Sequence, residues 1–360
     1  MHIDEATREY ERWLAARTPV VAGDLQRKHR DMRKDPFRFL RATFYRWVQV
    51  TEALAKQLPA SPRILAIGDL HVENFGTWRD AEGRLVWGIN DFDEADEWPF
   101  TYDLIRLAAS AILARRIGRI RLKAADICEA LLLGYDESLA EGGQPFVLAE
   151  EHHWLRDTAL NDLRDPVVFW RKLLKRARGE GNVPRPIRTL LGSALPASAS
   201  ASSSSPRFVR RTAGLGSLGR PRYLGLLQSN GGWIAREAKA AVPSALAWTT
   251  GKTRKIRYRD LLKSAVRTPD PFVEIRDGWL IRRLAPDCSR IELETLPRRY
   301  DEYRLMHAMG WETANVHLGS APARDLRRHV RALGRDWLPS AVAVMLDALH
   351  DDWSRYRRHG

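Results

Sequence analysis

Apolar residues in "DPFRFLRATFYRWVQVTEALAKQL" fall at Phe37, Leu40, Phe44, Trp47, Val48, Leu54 and Leu58, mostly three and four apart. That spacing predicts helix with one buried stripe, and the first sixty residues as a whole read as helical. Between Ile64 and Asp93 the texture changes to short runs of β-type residues, and "WRDAEGRLVW" predicts two strands joined at an Ala-Glu-Gly turn. Helical spacing returns from Tyr102 through "YDLIRLAASAILARR" and "RLKAADICEALLLGYDESLAE". The Ser/Ala-rich stretch from Gly192 to Phe208 buries almost nothing and predicts a linker or exposed loop. Strand texture follows in "RFVRRTA", "RYLGLLQ" and "WIAREAKA", with Asn230-Gly231 as a hairpin signal. A polar helix near Lys255 to Val266, the strands "PFVEI" and "WLIRRLA", and helices to the end complete the reading. The expected organisation is an α+β chain divided at 1–191, 192–207, 208–285 and 286–360, without internal repeats.

A chain of 360 residues can bury a full core, and 44% hydrophobic with 29% charged residues is the balance of a folded protein. No apolar run reaches membrane-spanning length, because "LIRLAASAILA" is interrupted by Arg106 and ends at Arg115 and Arg116. The start "MHIDEATREYERW" lacks the apolar stretch of an export signal, so a cytoplasmic location is expected. Only Cys128 and Cys288 are present, which excludes a disulfide framework or thiolate metal site and suits a reducing compartment. A net charge of +14 implies attraction to anions. Nucleic acid is one such partner, but there is no zinc-finger spacing, Gly/Arg tail or aromatic-basic RNA signature.

Three clusters carry chemistry. In "GDLHVENFG", Asp69 and Asn74 have the D-x-x-x-x-N spacing of a phosphotransferase catalytic loop, where a carboxylate orients the attacking hydroxyl and an amide oxygen holds Mg²⁺. In "WGINDFDEADEWPFTYDLIRL", Asp91 closes a strand where a second carboxylate can bind the metal, with Asp93 either a further ligand or a turn cap. In "GLGSLG", Gly214, Gly216 and Gly219, with Ser217 among them, lie between two candidate strands, where backbone N–H groups can approach phosphate oxygens. A strand follows rather than a helix, which argues against a dinucleotide-binding turn. Lys239 then stands two strands later, where a kinase places the lysine that pairs with the α- and β-phosphates.

The stretch from Ile64 to Ala114 resembles aminoglycoside phosphotransferase-like and choline-kinase-like enzymes. By that resemblance Asp69 is the catalytic base, Asn74 and Asp91 are metal ligands, and Asp103 is a carboxylate bracing the loop. The position two before Asp69, often His in those enzymes, is Ile67. The glycine turn and Lys239 follow the loop instead of preceding it, which implies a circularly permuted, kinase-like two-lobed fold with a mostly helical large lobe. Through "KHRDMRKDPFRFLRA", "GDLHVENFG", "NDFDEADEWPFTYDLIRLAAS", "GLGSLGRPRYLGLL" and "REAKAAVPSAL" the chain also resembles the bacterial kinase-like family DUF2252. That resemblance implies ATP and Mg²⁺ as cofactors and supplies no acceptor. Its glutamate in the helix after the lysine aligns with Asp260, expected to pair with Lys239.

The expected activity is transfer of the terminal phosphoryl group of ATP to a hydroxyl of a small-molecule or protein acceptor. Transfer of AMP from a reversed nucleotide, a non-catalytic nucleotide binder, and a basic nucleic-acid binder are alternatives. A metallophosphatase would need further Asp, Asn and His blocks that the chain lacks. His71, grouped with Asp69 as catalytic, either contacts phosphate or metal or holds the loop by hydrogen bonding. Glu73 and Glu94 read as solvated or arginine-paired, His307 and His317 as packing or surface residues. Arg41 reaches a phosphate only if the N-terminal helices line the cleft.

Overall fold

The structure, a computed structural model, describes residues 1–148, 152–159, 165–176, 182–196, 205–288 and 299–359. Four helices open the chain: α1 (Ile3–Ala15), α2 (Ala22–Met32), α3 (Pro36–Ala42) and α4 (Phe44–Ala53). The Asp35 carboxylate starts α3 by accepting the Arg38 N–H at 2.8 Å, with Pro36 in the first turn, where its missing N–H is not needed. The helical stretch expected from the apolar stripe is divided at Thr43, which leaves the helical region at φ −124° and ψ 43°. The stripe itself points inward, with Phe37, Leu40, Phe44, Trp47, Val48 and Leu58 buried.

Strand β1 (Arg63–Ala66) leads into the loop carrying Asp69, a short 3-10 turn at Val72–Asn74, and the hairpin β2 (Phe75–Arg79) and β3 (Leu85–Ile89). Strand β4 (Asp96–Pro99) returns antiparallel to β1 and runs directly into α5 (Phe100–Arg116). Every residue of α5 from Phe100 to Ala114 is buried. Helix α6 (Ala124–Glu141) ends at Gly142 in the left-handed region, φ +82°. After it come β5 (Phe146–Val147), paired with β3, and the helices α7 (His153–Ala159), α8 (Pro166–Arg176) and α9 (Arg185–Ala194).

A five-stranded antiparallel sheet is built from β6 (Arg207–Arg210), β7 (Arg222–Ser229), β8 (Gly232–Ala240), β9 (Glu274–Arg276) and β10 (Trp279–Leu284), in the order β6-β7-β8-β10-β9. Its β7–β8 hairpin turns at Asn230 (φ +50°) and Gly231 (φ +80°), the two positive angles that a two-residue hairpin loop requires. Helices α10 (Ala245–Thr250) and α11 (Tyr258–Ser264) connect β8 to β9. Residues 192–194, expected to begin the linker, instead form the last turn of α9, whose Ile187 and Leu191 pack on Ala238 of the sheet. Residues 197–204 of the Ser-rich stretch lie outside the described residues.

The chain closes with α12 (Arg299–His317), α13 (Ala323–Ala332) and α14 (Trp337–His359), which complete the main core around α5. Helices α6 and α12 touch backbone to backbone at two glycines. A Cβ on Gly134 would sit 1.9 Å from the His307 carbonyl oxygen, and one on Gly310 would sit 2.0 Å from that of Leu131. The architecture is mixed α and β, and no helix among the described residues is long and apolar enough to cross a membrane.

Candidate functional site

The loop between β1 and the 3-10 turn is held by one face of α5. Asp103 accepts the backbone N–H groups of Ile67 and Gly68 at 2.7 and 2.9 Å. One turn on, Arg106 donates through Nε to Asp69 Oδ1 at 2.8 Å and through Nη2 to the same oxygen and to the Leu40 carbonyl. Another turn on, the Ser110 hydroxyl accepts the Val72 N–H at 3.0 Å. Three polar residues at helical spacing on a buried helix thus fix three points of the loop. His317 of α12 adds a fourth support, its Nε2 lying 3.0 Å from Asp103 and its Nδ1 2.9 Å from the Tyr135 hydroxyl. Gly68 is required where the loop passes the turn before β4, since a Cβ there would meet the Glu94 carbonyl oxygen at 2.4 Å.

Within the loop, Asn74 Nδ2 donates to the Asp69 carbonyl at 2.6 Å, which leaves its amide oxygen as the group available to a cation. His71 Nδ1 accepts the Glu73 N–H at 3.2 Å and so caps the 3-10 turn. Glu73 pairs with Arg41 and Arg119, and Glu94 with Arg220.

The sheet forms the opposite wall. Lys239, fully buried on β8, reaches Asp91 Oδ1 at 3.3 Å and also contacts Asp93. The glycine turn between β6 and β7 comes down over Asp69, so that a Cβ on Gly216 would lie 3.5 Å from Asp69 Oδ2 and 2.9 Å from the Arg41 carbonyl oxygen. Gly214 and Gly219 carry φ of +76° and +102°, angles that other residues rarely adopt. The turn is fastened by α2: the Val21 N–H donates to the Gly219 carbonyl at 2.9 Å, and Lys28 Nζ to that of Gly216 at 3.4 Å. Ser217 accepts from Arg222.

Between these walls lies a cavity of about 720 Å³ lined by Asp69, His71, Asn74, Asp91, Asp93, Gly214, Gly216 and Ser217, with Lys28 and Arg41 from the N-terminal helices. Lys239 and Gly219 do not line it, Lys239 being fully buried against Asp91 and Asp93, and a third expected member is misplaced. Asp260 sits on the surface in an ion pair with Arg257 at 2.7 Å, because it lies on the solvent side of α11, whose Tyr258 and Leu261 are the buried residues, and Lys239 takes Asp91 and Asp93 as its partners instead.

Burial shapes the site's electrostatics. It raises the Asp69 carboxyl above its ordinary value against the pull of Arg106, and Asp91 adds to the rise. Burial also raises Glu94, to about 7, even with Arg220 beside it, and pushes Lys28 down to about 8. Burial works against the Asp93 charge too, but Lys239 and Arg220 outweigh it and hold that carboxyl at about 2.

Among the described residues no group of three His, Cys, Asp or Glu side chains could hold a metal ion by itself. Magnesium is ordinarily held by one or two carboxylates completed by water and substrate phosphates, so an all-protein cage is not required. Asp91, a third exposed into the cleft, and the Asn74 amide oxygen fit that donor set. Asp93 is engaged by two cations and suits positioning Lys239 better than metal ligation.

Arg106, Ser110, His317 and Lys28 are site residues that sequence reasoning missed. The signal for the first two was present: Asp103, Arg106 and Ser110 are three polar residues at helical spacing in a run otherwise too apolar to be anything but buried. Nothing local marks His317 or Lys28.

Residues 21–178, which contain the whole Asp69 loop and Asp91, match the family model described as "Uncharacterized protein conserved in bacteria (DUF2252)". No curated protein and no solved structure matches the chain.

Proposed function

We propose that the cleft binds magnesium ATP and transfers one of its phosphorus-containing groups to a hydroxyl, as a phosphotransferase of kinase-like organisation in permuted chain order. The observation that carries this reading is the meeting of two distant segments: Lys239 of the sheet reaches Asp91, while the Gly216 backbone overlies Asp69. Lysine on the second strand after a glycine turn, an Asp and an Asn five residues apart, and a further Asp beyond a hairpin are the parts such chemistry uses. Here the turn and lysine follow the loop in the chain yet face it in space. Asp103 bracing the loop agrees with its expected role.

Catalysis of this kind is mainly positioning and charge. Backbone N–H groups of the turn and Lys239 hold the polyphosphate. Asp91 and Asn74 would hold magnesium, which would supply charge neutralisation on the phosphate oxygens. Asp69, fixed by Arg106, orients the acceptor hydroxyl and takes its proton. The kinase order of binding moves the terminal phosphoryl group, the expectation from sequence. A small molecule and a protein both remain acceptors within this proposal.

The test is thermal stability with magnesium ATP. A ligand at a hundred times its Kd stabilises a protein by about 2.7 kcal/mol, so the wild type should melt measurably higher and Asp91→Ala should lose that gain. Equal shifts in both proteins, or no shift in the wild type, would remove the site.

A further inference from the structure

The sheet wall of the cleft is built from guanidinium groups where a purine would need a flat apolar slot. Strand register sets Arg222 opposite Lys239 and Arg282 opposite Glu237. Glu237 is fully buried and accepts from Arg222 Nη1 at 3.1 Å, Arg282 Nε at 2.8 Å and Arg211 Nη1. One carboxylate therefore carries three guanidiniums, leaving two positive charges in excess within this cluster. From the facing side Arg267 lies 4.7 Å over the Trp78 ring and 5.0 Å from that of Phe92. Arg211, Arg222, Arg267 and Arg282 all line the cavity, and the Nε donors of Arg222 and Arg267 are buried without a partner.

Side chains two apart on a strand share a face, so the residue two before the phosphate-binding lysine roofs the pocket beside it. In the V-A-I-K pattern of kinases that residue is alanine. Here "REAK" places Glu237 there, ionised and tied to arginines. Stacking a purine against this network would desolvate charge, whereas phosphate oxygens would complement it.

Building on the reading of the cleft as a nucleotide site, we infer that this wall is an anion subsite for the nucleotide's terminal phosphates, and that the group transferred is the nucleoside monophosphate. With the tail anchored at the sheet, the phosphorus presented to the acceptor is the α one. The acceptor hydroxyl oxygen bonds to it, the bond to the oxygen bridging the α- and β-phosphorus breaks, and pyrophosphate leaves against the arginines. The hydroxyl proton passes to Asp69.

The test incubates the full-length protein with magnesium ATP and lets water stand in as acceptor, with products separated by ion exchange. AMP with pyrophosphate supports the inference, and ADP with phosphate overturns it while leaving the nucleotide site intact. Calorimetry supplies a second arm that needs no turnover. Arg282→Gln should weaken binding of inorganic tripolyphosphate about 10- to 100-fold, the scale of lost charged hydrogen bonds, and leave adenosine binding unchanged. The opposite pattern, adenosine lost and tripolyphosphate kept, overturns the inference. Arg211→Gln, on the same wall, repeats this arm should Arg282→Gln fail to fold. A wild type that binds neither magnesium ATP nor tripolyphosphate overturns the nucleotide site and the inference together.

Discussion

Replacing Arg106 by methionine tests the support of the Asp69 loop. The guanidinium is fully buried and makes two hydrogen bonds to a carboxylate that is itself four-fifths buried, plus one to the Leu40 carbonyl. Methionine fills most of the volume and removes all three donors, so Asp69 is left as a desolvated charge whose carboxyl must rise further. Breaking such a pair from one side costs about 3–5 kcal/mol. Exchanging both partners for apolar residues removes the stranded charge, and comparable exchanges are often neutral. Arg106→Met should therefore lose about 3–5 kcal/mol in urea unfolding followed by tryptophan fluorescence, while Arg106→Met with Asp69→Leu should recover to within about 1–2 kcal/mol of the wild type, the Leu40 carbonyl still lacking its donor. The reasoning fails if the single variant unfolds within 1 kcal/mol of wild type, or if the double variant is no more stable than the single one.

Glu94 and Glu312, both buried and both raised to about 7 from 4.5, hold protons in the folded state that the unfolded chain releases. Their favourable contribution is complete below pH 4.5 and is lost as pH rises through 7, so unfolding free energy should fall between pH 5 and pH 8 by on the order of 3 kcal/mol for each. Glu94→Gln should remove its share of that slope, and an unchanged slope would refute the assignment. Gly134→Ala places a methyl group against the His307 carbonyl and should destabilise by at least ~2 kcal/mol; a neutral result in the same urea assay would mean that α6 and α12 separate freely. Asp260→Ala should leave magnesium ATP binding unchanged, since its partner is Arg257 rather than Lys239.

Local pattern carried much of this molecule. Spacing of apolar residues located the opening helices, and Asn230-Gly231 marked its hairpin, because both depend on neighbours in the chain. The loop residues Asp69 and Asn74 stood out for the same reason. Arg106 did not: in the sequence it interrupts an apolar run, and its meaning lies in a carboxylate 37 residues earlier. Thr43 divided an expected helical stretch because its periodicity continues across a backbone break that apolar spacing does not register. Asp260 was placed by alignment to a helix whose orientation no local signal sets.

The support that His317 gives Asp103 has a consequence for biosynthesis. The two residues are 214 positions apart, and Lys239 follows Asp91 by 148. At ribosomal speeds of about 5–20 residues per second, the loop waits roughly 10 to 40 s for its last prop. A nascent chain that stops before Lys239 therefore exposes the acidic half of the cleft without its roof, and one that stops before His317 lacks the loop's last prop.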